Sequence, residues 1–93
     1  METLLGEREL SKLRWRCRRG LLENDLFIER FFQQYQATIT TGQASGINTL
    51  MALADNDLLD LLLRRTEPQG EVDTFEVRGV LMQMRRPFAS LPN

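Results

Sequence analysis

The sequence predicts an all-α fold, a small five-helix bundle in a single domain. Apolar residues recur at intervals of three and four along most of the chain, breaks at Gly20, at Thr40-Thr41-Gly42 and at residues 66–70 separate these runs, and no segment reads as a strand. A chain of 93 residues, 42% of them apolar, is long enough to bury one core and too short for separate cofactor-binding and catalytic domains.

Each helix has its own signal. Leu10, Leu13, Cys17 and Leu21 lie at helical spacing, which predicts a first helix from about Glu7 to Arg18, stopped by Gly20. At 100° per residue Trp15 falls opposite that stripe, near Lys12 and Arg19, either exposed among cations or covered by a neighbouring helix. A second helix, from Leu21 or Leu22 to about Thr38, places Leu21, Ile28, Phe32, Tyr35 and Ile39 on one face, broadened by Phe27 and Phe31. Thr40-Thr41-Gly42 ends or interrupts it. Ile47, Leu50, Met51 and Ala54 mark a weaker third helix, whose start Gly42 and Gly46 leave undefined. Asp55 is placed to cap a short fourth helix with Leu58, Leu61 and Leu62 inward, acids near its positive end and Arg64-Arg65 at its negative end. Pro68 and Gly70 make the clearest loop. Asp73 and Glu76 then have capping-box spacing, with Val72 and Val77 as the matching hydrophobic staple. The fifth helix continues through Val77, Val80, Leu81, Met84 and Phe88 until Pro87 ends it, and Met82 and Met84 are read as core packing. The ends, about residues 1–6 and 89–93, are expected to be flexible.

Composition narrows the function. Histidine is absent and cysteine occurs once, which excludes the usual imidazole and thiolate metal sites, Ser-His and Cys-His nucleophile pairs, and disulfide frameworks. The single Cys17 suits a reducing compartment and sits on the apolar stripe as a small core residue. The first residues fit neither a secretory signal nor an Arg-rich presequence, and the uncharged stretch from Phe31 to Ala54 is too polar to span a bilayer. A cytoplasmic protein with no membrane insertion is expected. Net charge is −1, but residues 8–19 hold six basic side chains and one acid, whereas residues 55–76 hold seven acids and two arginines. Such a polarity steers encounter with a charged partner.

The most informative stretch runs from Trp15 to Asp25, where basic residues meet a glycine break and acidic residues follow. Gly20 has no Cβ, so the chain can turn there and a partner's backbone or ring can come into contact. Arg19 offers a planar fork of donors, and Glu23 falls in the first turn of the next helix, where negative charge is favoured. This corner reads as a docking surface for another protein.

The pattern Trp15-x-Cys17-Arg18-Arg19-Gly20-x-x-Glu23-x-Asp25, followed by Phe31-Phe32, resembles the SdhE family of FAD assembly factors for succinate dehydrogenase, whose shared motif is Arg-Gly-x-x-Glu. The likeness extends over nearly the whole chain, including Asp55-x-Asp57-Leu58. This chain departs from it with Asn24, where members often have leucine, and with Leu61, where they often have tryptophan. The resemblance implies a factor that binds the flavoprotein subunit of succinate dehydrogenase, or of its fumarate reductase relative, and promotes covalent attachment of FAD to a histidine. It implies a chaperone-like scaffold and not an enzyme, working as a monomer. FAD is the group attached to the partner and is not stably bound here, since no dinucleotide-binding glycine fingerprint occurs. The partner-binding residues it points to are Arg19, Gly20 and Glu23, with Trp15, Arg18, Leu21 and Asp25 around them; no catalytic or metal-binding residue is assigned.

Two other readings use the same residues. The basic segment with Trp15 suits a nucleic-acid-binding module, although the sequence pI of 5.4 and the dense acids of the second half oppose it. A small acidic helical protein also suits an antitoxin-like regulator that plugs its partner.

Overall fold

Helical spacing becomes five helices in the computed structural model, which describes residues 3–18 and 20–89, with side chains through position 85. They are α1 (Glu7–Arg16), α2 (Leu22–Tyr35), α3 (Thr41–Met51), α4 (Asp55–Leu62) and α5 (Phe75–Ala89), with 3-10 turns at Gln36–Thr38 and Gly70–Val72. The fold is all-α. Among the described residues one isolated antiparallel bridge, Leu4 to Thr40, ties the N-terminal segment to the junction of α2 and α3. The Leu5 N–H donates to the Ile39 carbonyl at 2.9 Å, and the Thr41 N–H to that of Thr3 at 2.9 Å.

The core forms where the apolar stripes converge. Phe27, Ile28, Phe31 and Phe32 of α2 meet Ile47 and Leu50 of α3, Leu58, Leu61 and Leu62 of α4, and Val77, Val80, Leu81 and Met84 of α5, while Leu13 and Cys17 close one side. Phe31 and Phe32 pack edge to face, their centroids 5.4 Å apart. The most extensive helix contact is α3 against α5. Gly46 makes that crossing possible, because a Cβ there would stand 2.8 Å from the backbone of Glu76. The radius of gyration, 12.6 Å, is that of one compact domain of this length.

Arg85 secures the loop between α4 and α5. Its guanidinium donates to the carbonyls of Leu61 at 2.8 Å and Thr66 at 3.2 Å, and to the Glu67 carboxylate at 3.3 Å. Pro68, within this loop, is buried. At its far end the Arg78 Nε donates to the Asp73 carboxylate, holding that carboxyl below the ordinary carboxylate range.

Helix ends differ from the sequence reading in five places, each set by side-chain or backbone hydrogen bonding. First, α1 stops at Arg16, with the Cys17 N–H closing the last turn, so Gly20 lies in the connecting turn and does not itself terminate the helix. Second, α3 begins sharply: Thr40 accepts from the Gln43 N–H at 3.1 Å and Gln43 Oε1 accepts from the Thr40 N–H at 2.9 Å, a capping box that turns the supposed breaker into a start. Ala54 falls outside α3. Third, Asp55 is the first residue of α4 and not its cap, which is Ala54. Fourth, the cap of α5 is Thr74, whose hydroxyl accepts from the Val77 N–H at 3.1 Å; Asp73 is drawn off to Arg78 and the Asp73–Glu76 box does not form. Fifth, the α5 backbone continues past Pro87 to Ala89, where the missing N–H falls in the last turn and removes one helical bond. The methionine pair also divides: Met84 is buried, whereas Met82 is exposed.

Candidate partner-docking site

The turn from α1 to α2 places the glycine corner on the surface. The N-cap of α2 is Leu21, which offers no side-chain cap, so Glu23 and Asp25 in the first turn supply the negative charge that the exposed N–H groups favour. Gly20 and Glu23 are exposed, and Leu21 and Asp25 are half-buried. Arg19 lies outside the described residues.

Space is the distinctive property of Gly20. The described residues with left-handed backbone are Arg64 and Gly70. At Gly20 a Cβ would meet nothing nearer than a carboxylate oxygen of Asp55, 4.0 Å away, an ordinary van der Waals distance. Among the described residues nothing crowds out a methyl group there, in contrast to Gly46. That Asp55 borders the corner was not read from the sequence, because thirty-odd residues separate them; the link is the buried Asn24, whose Nδ2 donates to the Asp55 carbonyl at 3.0 Å and lies 3.4 Å from its Oδ1. Asn24 thus joins the first turn of α2 to the first turn of α4. Its own Oδ1 is buried without a partner.

Trp15 takes the exposed alternative. Its indole is 71% accessible, with the Arg18 guanidinium 5.2 Å from the ring centroid, a cation–π pair at the end of α1. Both line a cleft of about 380 Å³ between α1 and α2 that also includes Ser11 and Asp25, with buried Cys17 and Phe32 at its base. Arg14 crosses that cleft, donating to Gln36 Oε1 at 2.9 Å, and stands 3.8 Å from the Glu29 carboxylate. Trp15, Arg18 and Asp25 therefore share one concavity. Glu23 faces the other side of α2, at the edge of an apolar groove toward α4.

The arrangement offers an open backbone corner, an exposed aromatic anchor and both signs of charge, the makings of a protein contact. Among the described residues no group of three or more potential ligands gathers into a metal site. No described helix is long and apolar enough to cross a membrane.

Residues 11–86 match the family described as flavinator of succinate dehydrogenase. The chain is similar to an FAD assembly factor SdhE of Ralstonia nicotianae, 49% identical over 81% of this chain and 79% of that protein. Proteins of the same name from Coxiella burnetii, 38% identical over 64% of this chain and 73% of the relative, and from Legionella pneumophila, 34% over 73% and 86%, are similar too. No solved structure matches.

Proposed function

The chain belongs to the flavinator of succinate dehydrogenase family, and we propose that it is an FAD assembly factor acting on the flavoprotein subunit of succinate dehydrogenase or of a fumarate reductase. In this reading the factor docks through the corner at Gly20 and holds the flavoprotein where its histidine and bound FAD meet in a reactive geometry. The chain supplies no acid, base or nucleophile to the bond. It has no histidine, and its one thiol is buried in the core. Positioning alone is worth several kcal/mol of a bimolecular barrier, so a scaffold suffices. It works as a monomer in the cytoplasm on the newly made subunit.

One observation carries the assignment of the surface: Gly20 is exposed, with 4.0 Å of clearance to the nearest contact among the described residues. An open glycine beside an exposed carboxylate and an exposed indole is explained by close approach from outside. Gly20 and Glu23 form the centre of the contact with Arg19, and Trp15, Arg18, Leu21 and Asp25 border it. The test is co-expression of the flavoprotein subunit with this chain, its Gly20→Arg variant or its Glu23→Ala variant, followed by in-gel flavin fluorescence after denaturation. Both variants are expected to lose most of the covalent flavin while keeping wild-type helicity. Wild-type flavin levels in both would remove the corner from the mechanism.

A further inference from the structure

Among the described residues, three of the four exposed leucines lie on α2 or at the end of α4. Leu22 is 68% accessible, Leu26 50% and Leu63 42%. Leu22 and Leu26 are one helical turn apart on α2, off the stripe that Leu21 and Ile28 define. Leu26 and Leu63 form the walls of a groove of about 630 Å³ between α2 and the end of α4, floored by buried Phe27 and Leu62, with Glu23 and Arg64 on its rim.

Arg64 is the second observation. It follows the last turn of α4 with φ +64, and the N–H groups of Arg64 and Arg65 donate to the Leu61 and Asp60 carbonyls at 3.1 and 2.8 Å. This is the glycine-closed helix ending with arginine in the glycine position. A side chain in left-handed backbone is unfavourable, and such strain concentrates at sites of contact. Glycine would relieve it and lose the guanidinium. Arg85, the other cation in the groove, is committed to the loop carbonyls and Glu67, which leaves Arg64 as the exposed cation there.

We propose that this groove is a second half of the docking surface and seats an apolar segment of the flavoprotein that carries a carboxylate against Arg64. The inference rests on the assembly-factor reading above. The occupant is assigned to the flavoprotein because the groove is continuous with the corner: Glu23 lines the groove and stands three residues from Gly20, with exposed Leu22 between them in the chain. A segment crossing from Gly20 into the groove meets a carboxylate, then leucines, then a guanidinium, and this sequence of charges fixes its direction.

Binding of the purified apo-flavoprotein subunit to the full chain, measured together with melting temperature, tests the groove. The pair Leu26→Ser with Leu63→Ser is expected to weaken binding by about tenfold or more, on the scale of two partly buried leucines. Arg64→Gly is expected to weaken it as well while raising the melting temperature, a combination that a purely structural role cannot produce. Phe75→Ser, exposed on α5 beside Thr40 and Gln43, leaves affinity unchanged. Groove variants that bind like wild type, while Gly20→Arg does not, overturn the groove and leave the corner standing. Loss of stability without loss of affinity assigns the groove to the chain's own terminal residues, and conversion of a dimer to a monomer by the leucine pair assigns it to a second copy; either overturns the proposal. A wild-type chain with no affinity for the subunit, together with unchanged flavin in the Gly20→Arg cells, defeats the assembly reading beneath it.

Discussion

Replacing Gly46 with alanine adds a single methyl group where α3 crosses α5. The new carbon would stand 2.8 Å from both the carbonyl carbon and oxygen of Glu76, well inside van der Waals contact, and both are backbone atoms fixed in the first turn of α5. No rotamer change relieves the clash, so the two helices must separate by several tenths of an ångström across their most extensive contact. Overpacking costs about 1–3 kcal/mol, and backbone opposing backbone puts this site at the upper end, about 2–3 kcal/mol. Alanine regains roughly 1 kcal/mol over glycine inside a helix. The net is a loss of about 1–2 kcal/mol, or a melting temperature lower by about 4–16 °C for a domain of this size. Thermal unfolding followed by far-UV circular dichroism reads it directly. Gly79→Ala is the matched control, because a Cβ there meets nothing within 4 Å; it retains only the propensity gain of about 1 kcal/mol and melts higher. A Gly46→Ala protein as stable as wild type would refute the reasoning. It would also weaken the reading of Gly20, which uses the same measure of space to the opposite conclusion.

Three further outcomes follow from the structure. Asn24→Asp places a buried carboxylate against the Asp55 carbonyl and carboxylate, and is expected to cost about 2–4 kcal/mol at neutral pH. Because the introduced acid has its folded pKa raised above the unfolded value, that deficit is full above the raised pKa and shrinks as pH falls, which denaturant titrations at several pH values measure. Asp73→Asn acts in the opposite sense on acid stability. The Arg78 hydrogen bond depresses the Asp73 pKa in the fold, so its stabilisation is complete above the unfolded carboxylate pKa and is lost as pH falls through the folded one; the variant flattens that part of the curve. Trp15→Ala removes an exposed indole that the core does not use. It is expected to leave the melting temperature nearly unchanged, as surface substitutions do within about 0.5 kcal/mol, while lowering covalent flavin on the co-expressed subunit.

Much of the architecture was legible because helical periodicity is a local property. Leu13 and Cys17 of the first stripe, Phe27, Phe31 and Phe32 of α2 and the Leu58-Leu61-Leu62 triplet are buried as spacing required, with Leu10 and Tyr35 partly buried at the edge. The capping motifs were less legible. Thr40 and Thr74 each had a nearby competitor, a glycine in one case and Asp73 in the other, and which residue caps was decided by where the side chains were drawn in three dimensions. The proposed site rests on the residues from Trp15 to Asp25, which the charge reversal around one glycine singles out in the sequence. The groove between Leu26 and Leu63 was not legible, because nothing in one dimension shows that α2 and α4 lie side by side.

By itself the sequence determined the five helices, the absence of histidine and disulfide chemistry, and the motif that marks the family, since each depends on residue identity or spacing over a turn or two. Only the tertiary structure decided that Gly46 is a packing requirement and Gly20 an open surface, that Asn24 brings Asp55 beside the corner, and that a groove runs on from Glu23. Two identical residues differ there for one reason. Room for a methyl group is set by whatever segment the fold brings against it, and that neighbour is distant in the chain.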